Sequence, residues 1–193
     1  MIAFKRILKG RRRTEMKKPF VTLEQVKEIE KTIPTPFHIY AEAGIRQKAR
    51  DLNRAFSWNK GFKEYFAVKA TPNPYLLSIL KEEGCGVDCS SLTELMMSEA
   101  CGFSGSDIMF SSNVTPEADM KKAFELGAFI NLDDFTHLEF LENLCGLPET
   151  VFCRYNPGGH FTLDNQIMDH PGDAKYGMTK AQITEAFKIM KAK

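Results

Sequence analysis

Short apolar runs alternate with longer amphipathic segments along most of the chain after residue 35. Runs rich in apolar and aromatic residues predict strands at residues 37–40, 64–69, 86–89, 108–110, 129–132 and 151–155. The segments between them predict helices at residues 43–56, 75–83, 91–101, from 115 onward, at 134–144, and from 180 to the end. Because strands that alternate with helices form βαβ units, the pattern predicts a parallel sheet covered by helices.

Residues with known helix-capping preferences support these boundaries. Gly84 and Gly102 each follow a predicted helix, where glycine commonly ends the last turn. Ser91 and Glu94 have the spacing of a capping box. Pro116 is expected at the first position of its helix, where proline is well tolerated.

Polar residues follow the successive predicted strands at their carboxyl ends. They are Lys69, Asp88, Asn113, Asp133, Arg154 and Asn156. In a TIM barrel these ends converge on one mouth, which holds the active site. In an open doubly wound sheet the site is confined to the point where the strand order reverses. Since five consecutive units each supply such a residue, the sequence favours the barrel.

The number of units is smaller than a complete barrel requires. A TIM barrel has eight βα units and about 250 residues, whereas the 193 residues of this chain supply about five units. A five-stranded arc would leave two parallel edges open to pairing with other chains. The predicted fold is therefore an α/β partial TIM barrel, about five of eight units long, in a truncated chain.

Composition is that of a soluble globular protein, with 43% hydrophobic and 26% charged residues. Residues 1–18 form a basic leader with eight lysines and arginines and one acid, which leaves a net charge of −6 on the remainder. A mildly acidic body does not indicate a nucleic-acid surface. No apolar run has the length of a membrane span, and none follows the leader as a secretory signal would require.

The basic leader is open to three interpretations. It has features of a nucleic-acid arm, of an organelle transit peptide, and of translated sequence upstream of a native start at Met16. The third is favoured, because residues 10–13 are compatible with a translated purine-rich ribosome-binding site. The leader is accordingly expected to be disordered or not native.

The five cysteines show no paired CxxC spacing. They are Cys85, Cys89, Cys101, Cys145 and Cys153. An odd number of cysteines without a secretory signal predicts reduced thiols and a cytoplasmic location. Cys85 and Cys89 lie four residues apart, but no matching pair follows them, so no metal site is predicted.

Lys69 is the sharpest candidate for chemistry. It ends a predicted strand of aromatic and apolar residues, next to the expected barrel interior. Removing an ammonium group from water lowers its pKa. A neutral amine is the nucleophile that Schiff-base chemistry requires. The alternative is a lysine that emerges into solvent after the strand.

Six segments, in this order and spacing, resemble fold-type III pyridoxal-phosphate-dependent amino-acid decarboxylases of the diaminopimelate and ornithine decarboxylase type. Residues 66–74 (FAVKATPNP) resemble the segment with the cofactor lysine, and residues 174–178 (AKYGM) resemble a Lys-Phe-Gly signature. The other segments are residues 35–40, 86–95, 131–134 and 154–159. The resemblance runs from about residue 34 to the end and covers the N-terminal half of the family, whose barrel is alanine-racemase-like.

The resemblance implies a cofactor and a set of residues around it. Pyridoxal 5'-phosphate would be the cofactor, and Lys69 would hold it covalently. Asp88 would lie beside the lysine, Arg154 would face the cofactor, and Asn113 would border it. The alternatives are a helix cap for Asp88 and an ion pair across the barrel mouth for Arg154.

The resemblance is nearest to the diaminopimelate decarboxylase branch. Residues 108–113 and 154–159 carry this preference, which implies decarboxylation of meso-diaminopimelate to L-lysine. The family's C-terminal β domain and the phosphate-binding half of its barrel have no counterpart here, so the chain alone is expected to be inactive. His160 and His170, in the loop after the fifth strand, are expected to be solvated rather than to contact substrate.

The expected domain organisation is a leader (1–18), a lead-in strand and helix (19–60), and the N-terminal part of the cofactor-binding barrel (61–193). The complete parent is expected to be a cytoplasmic homodimer that takes a small amino-acid substrate and binds neither nucleic acid nor a membrane. Two alternatives are a racemase on the same barrel and a non-catalytic pyridoxal-phosphate-binding protein. A gene fragment without function is the third.

Overall fold

The structure, a computed structural model, describes residues 18–159 and 176–193. The chain divides into two compact units, Met1–Glu42 and Ala43–Lys193. The predicted leader lies outside the described residues except for Lys18, as does the proposed start at Met16.

The first unit contains one helix that the apolar pattern did not predict, α1 (Leu23–Glu30). It begins with a complete capping box: Thr22 Oγ1 accepts from the Gln25 N–H, and Gln25 Oε1 accepts from the Thr22 N–H at 2.8 Å. Residues 37–40, predicted as a strand, form no regular secondary structure. A strand requires hydrogen bonds to a neighbour, and no segment within residues 18–159 or 176–193 pairs with these residues.

The second unit alternates strands and helices as the apolar pattern predicted. The strands are β1 (Tyr65–Ala67), β2 (Gly86–Cys89), β3 (Ile108–Phe110), β4 (Phe129–Leu132) and β5 (Val151–Cys153). The remaining helices are α2 (Glu42–Ala55), α3 (Pro74–Glu82), α4 (Leu92–Ala100), α5 (Glu117–Glu125), α6 (Thr136–Cys145) and α7 (Lys180–Lys191). Two strands are shorter than predicted, because the chain enters a 3-10 turn (Val68–Ala70) after β1 and leaves the sheet after Cys153.

The five strands pair in chain order, and every neighbouring pair is parallel. An open doubly wound sheet would reverse this order at a switch point. A sheet that advances by one strand per βα unit is instead the wall of a barrel. The predicted α/β partial barrel of five units is therefore confirmed.

The sheet has one apolar face and one mixed face. On the helix-covered face, the strands contribute fully buried side chains, namely Val87, Cys89, Ile108, Phe110, Ile130 and Leu132. Alternate residues point the other way, and Asp88, Met109 and Asn131 are half-buried. The first face forms the core with the helices, which leaves the second face and the strand ends for polar groups.

The Tyr65 side chain connects the amino ends of β1, β2 and β3. Tyr65 reaches over β2, and its hydroxyl donates to the Ser106 carbonyl at 2.6 Å. Gly86 makes room for it: a Cβ on Gly86 would lie 2.7 Å from a Tyr65 ring carbon and 2.7 Å from the Asp107 carbonyl oxygen. This glycine is required for a close approach rather than for an unusual backbone angle.

The helices begin where the predicted caps place them, but two capping residues act one position away from the prediction. Ser91 Oγ accepts from the Glu94 N–H, as predicted. The Glu94 carboxylate, however, accepts from the N–H of Ser90 at 2.9 Å, one residue before the cap. Pro116 is the N-cap of α5 rather than its first helical residue.

Replacing Ser91 by alanine is expected to lower the free energy of unfolding by about 1 kcal/mol, because it removes the acceptor that caps α4. Urea denaturation followed by circular dichroism measures the change. Ser104→Ala is the matched control, since Ser104 precedes a 3-10 turn without making a side-chain cap. Equal losses in the two variants would contradict a capping role for Ser91.

Among the described residues, no helix combines the length and the apolar character needed to cross a bilayer.

Candidate functional site

Two pockets lie at the carboxyl ends and the mixed face of the sheet. The larger has a volume of about 480 Å³ and is lined by Lys69, Ser90, Ser111, Ser112, Asn113, Val114, Arg154 and Tyr176. The smaller, of about 310 Å³, is lined by Tyr65, Asp88, Met109, Ser111, Asn131, Phe152 and Arg154. Ser111 and Arg154 border both, so the two pockets meet along these side chains. The larger is hereafter called the lysine pocket.

Lys69 lies in the 3-10 turn that follows β1 and lines the lysine pocket. The sequence predicted a continuous strand that ends in a desolvated lysine, and the burial part of that prediction is wrong, because Lys69 is exposed. The turn buries Val68 completely in the core and carries the next side chain into the pocket. Lys69 is therefore accessible to a ligand.

Asp88 is the third residue of β2 and lies on the mixed face, half-buried. Burial raises the pKa of this carboxyl group, while the hydrogen bond from Ser111 Oγ and the charges of Lys69 and Arg154 oppose the rise. The alternative that Asp88 caps the next helix is wrong, since Ser91 caps α4. Asp88 is thus an acid held by Ser111 in the field of two cations.

Arg154 follows β5 and faces a buried carboxylate. Its Nη1 lies 2.6 Å from Oδ1 of Asp133, which is only 2% exposed. The guanidinium carbon lies 6.0 Å from the centre of the Tyr176 ring. The ion pair that the sequence offered as an alternative role is present, and Arg154 nevertheless lines both pockets.

Asn113 lines the lysine pocket together with serines that the sequence analysis did not single out. Ser111 and Ser112 follow the buried Phe110 directly, so a polar run after an apolar strand was the available signal. Asn156 lies at the edge of this region, where its side-chain amide donates to the Tyr176 carbonyl at 2.9 Å. His160 and His170 lie outside the described residues.

Burial raises the pKa of four of the five thiols of the described chain. Burial raises the pKa of Cys89 to about 12, and it raises those of Cys85 and Cys153 as well. A thiolate is the form that binds metals. Within residues 18–159 and 176–193, no cluster of three histidine, cysteine or acidic residues could hold an ion.

Asp88→Asn is expected to stabilise the chain near neutral pH, by up to about 1 kcal/mol. The folded pKa of Asp88 is raised above its ordinary value of 3.8. Its contribution to stability is therefore complete below about pH 4 and is lost as the pH rises through the folded pKa. Urea midpoints of variant and wild type should converge at low pH and separate as the pH increases.

Asp134→Asn is the control with the opposite sign. The side-chain and backbone hydrogen bonds from Thr136 lower the pKa of Asp134. Asp134 therefore contributes stability above pH 3.8 that is lost as the pH falls through its lowered pKa. Its asparagine variant should be the less stable one at neutral pH, and parallel behaviour of the two variants would contradict both assignments.

Comparison with known proteins identifies the family. A model of the family described as "Pyridoxal-dependent decarboxylase, pyridoxal binding domain" matches residues 42–193. Since this match includes the whole βα series and both pockets, the chain belongs to that family, whose cofactor is pyridoxal phosphate.

Individual relatives agree with the family match. Protein TabA of Pseudomonas amygdali pv. tabaci is 40% identical over 161 residues, which cover 83% of this chain and 37% of TabA. Diaminopimelate decarboxylase of Thermoplasma acidophilum is 32% identical over 133 residues, which cover 69% of this chain and 32% of the relative. The crystal structure of diaminopimelate decarboxylase from Helicobacter pylori, complexed with L-lysine, has a TM-score of 0.75 and 26% identity. That match covers 86% of this chain and 43% of the enzyme.

The chain therefore spans about a third to two-fifths of the length of the curated relatives it matches. The side chains of the lysine pocket fit the family's cofactor. An exposed primary amine can bond to an aldehyde, and the nearby guanidinium of Arg154 offers a positive charge to an anionic group. Lys69, Asp88, Asn113 and Arg154 are the described residues that would hold the group.

Proposed function

We propose that this chain carries the lysine-bearing part of a pyridoxal-phosphate-dependent carboxy-lyase, whose complete parent converts meso-diaminopimelate to L-lysine. The observation that carries the proposal is the lysine pocket, where the exposed amine of Lys69, just after β1, faces residues that follow β3 and β5. The substrate is inferred from the diaminopimelate decarboxylases among the relatives. A homodimeric, cytoplasmic parent remains a prediction.

Each site residue has a task that follows from its surroundings. Lys69 Nζ would supply the amine that holds the cofactor through its aldehyde. Pyridoxal phosphate, when bound, supplies an electron sink for the bond that breaks. Arg154 presents positive charge to an anionic group, and Asn113 adds a neutral polar side chain at the rim.

Asp88 sets the charge beside the lysine. The charge of Lys69 acts on this carboxyl group and lowers its pKa, against the larger effect of burial. Its raised pKa also brings the carboxyl group closer to the range in which it can hold or release a proton. The Ser111 hydroxyl, which donates to Asp88 Oδ1, keeps the carboxylate oriented through this exchange.

The experiment that tests this function is a chimera, because the chain alone is predicted to be inactive. Residues 42–193 replace the matched segment of the Helicobacter pylori enzyme. The purified chimera is loaded with pyridoxal phosphate and given carboxyl-labelled meso-diaminopimelate, ornithine or lysine. We expect labelled carbon dioxide from meso-diaminopimelate in preference to the other two substrates. The same chimera with Lys69→Ala should release none.

A folded chimera that binds the cofactor but releases carbon dioxide from none of the three substrates would contradict the proposal. Loss of optical activity from L-ornithine or L-lysine, without carbon dioxide, would favour the racemase alternative. Release of carbon dioxide by the isolated 193-residue chain would show that the prediction of an inactive fragment is wrong.

A further inference from the structure

The backbone of Arg154 is fixed from two sides. Its N–H donates to the Leu132 carbonyl at 3.0 Å, and its own carbonyl accepts from the Met178 N–H at 2.7 Å. Its side chain is 35% exposed. An arginine side chain has several rotatable bonds, so the position of its guanidinium depends on the groups around it.

The first of these groups is Asp133, which is buried yet incompletely satisfied. Its Oδ1 lies 2.6 Å from Arg154 Nη1, but the contact lacks hydrogen-bond geometry and leaves Oδ1 without a hydrogen bond from any described residue. Burying a carboxylate is costly, and buried ion pairs contribute little net stability compared with apolar residues of the same size. The fold gains little from this pair, which points to a role in the site.

The second group is the Tyr176–Gly177 segment, which runs alongside residues 154–156. The Asn156 N–H donates to the Met178 carbonyl at 2.8 Å, and this places the Tyr176 ring 6.0 Å from the guanidinium carbon. Gly177 has a φ of +83°, and a Cβ there would lie 3.1 Å from both Cγ and the carbonyl oxygen of Arg154. Glycine is therefore needed both for this backbone angle and for this close approach.

We propose that Asp133, Tyr176 and Gly177 are positioning residues that hold the guanidinium of Arg154 over the lysine pocket, as a fixed positive charge for an anionic ligand group. This inference rests on the proposed function and deepens it. It also gives the Tyr-Gly pair of the signature at residues 174–178 a physical task. The aromatic ring covers the guanidinium, and the glycine lets the chain come close enough for it to do so.

The arrangement has an electrostatic consequence for the rest of the site. The charge of Arg154 lowers the pKa of Asp88 and so opposes the effect of burial on that carboxyl group. A guanidinium that swings into solvent is screened by water and loses this influence. Holding Arg154 in place therefore also stabilises the charged form of the acid beside Lys69. If the guanidinium is already fixed before the ligand binds, binding does not carry the entropic cost of ordering the arginine side chain.

Chemical modification of arginine tests the positioning directly, without any cofactor. The chain is treated with phenylglyoxal, and the rate at Arg154 is measured by mass spectrometry relative to Arg54, whose side chain is 70% exposed. Arg154 should react slowly in the wild type and about tenfold faster in Asp133→Asn and in Tyr176→Ala, because each loses one contact with the charged group. Tyr176→Phe, which keeps the ring, should retain the protection.

A second readout connects the positioning to the site. In chains loaded with pyridoxal phosphate, the visible absorbance is titrated against pH. Tyr176→Ala should move the midpoint away from the wild-type value, because the guanidinium of Arg154 is no longer held over the lysine pocket. Tyr176→Phe should leave the midpoint at the wild-type value. A ring that served only the fold would change stability without moving this midpoint.

The outcomes separate the two proposals. Equal reaction rates at Arg154 and Arg54 in the wild type, or unchanged rates in both Asp133→Asn and Tyr176→Ala, would overturn the positioning role. Failure of the wild type to attach the cofactor at Lys69, with Arg154 still protected, would contradict the proposed function and leave the arrangement of Asp133, Arg154 and Tyr176 established. Circular dichroism of each variant identifies any that fails to fold, and Tyr176→Ala, at an exposed position, keeps the test decisive.

Discussion

Lys69→Ala is expected to remove the main site at which borohydride fixes pyridoxal phosphate to this chain, with a fall in fixed cofactor of about tenfold or more. Lys69 is accessible, lines a pocket of about 480 Å³ and has a guanidinium and a carboxylate nearby. Several other described lysines are already paired with carboxylates, as Lys63 is with Asp107. Peptide mapping by mass spectrometry, before and after the substitution, measures the loss.

Lys60→Ala is the matched control for this experiment, because Lys60 is also an exposed lysine of the second unit but does not line the lysine pocket. The amount of pyridoxal phosphate fixed at Lys69 in this variant should equal that in the wild type. A label spread evenly over many lysines in the wild type would contradict a formed site in this chain. The family membership would be unaffected, since it follows from the match of residues 42–193.

Phe110→Ala is expected to cost about 3–5 kcal/mol in the free energy of unfolding. The side chain is 1% exposed and lies in the middle strand, between Cys89 and Ile130 in the register. Removing its ring leaves a cavity where the sheet meets the helices. A loss of this size is a large part of the roughly 5–15 kcal/mol that stabilises a typical domain. Urea denaturation followed by circular dichroism measures it.

Phe187→Ala provides the comparison, because that ring lies on α7 and is 57% exposed. This substitution should change the free energy of unfolding by no more than about 0.5 kcal/mol. Because Phe110 is followed directly by pocket residues, its variant should also lose cofactor labelling at Lys69. Similar losses of stability in the two variants would show that the sheet–helix core is not the source of stability.

The strands that the sequence located best are those with a fully buried face. Residues 86–89, 108–110 and 129–132 were predicted with the bounds that the structure has, because turns or helix ends flank each apolar run. The end of β1 was missed, since Val68 is apolar in a 3-10 turn as it would be in a strand. The helix α1, which has no buried residue, was missed although its capping box was visible in the sequence.

The sequence predicted some residues of the site, but the contacts between them became visible only in the structure. Lys69 and Arg154 were found because each follows a strand within a recognisable segment. The pairing of Ser111 with Asp88 joins β2 to the segment after β3, and the contact of Tyr176 with Arg154 joins residues that are far apart in the sequence. Residue types and spacing do not determine such contacts. They follow from strand register and backbone path.

The crossing of Tyr65 over Gly86 has a consequence for how this sheet can evolve. The contact lies at the amino ends of the strands, away from Lys69, and every side chain larger than hydrogen at position 86 would meet the tyrosine ring or the Asp107 carbonyl. A library of variants would therefore have to change positions 65 and 86 together. The described segments that follow the strands do not take part in this contact. Selection for a new substrate could diversify the mouth of the barrel while its opposite rim stays constant.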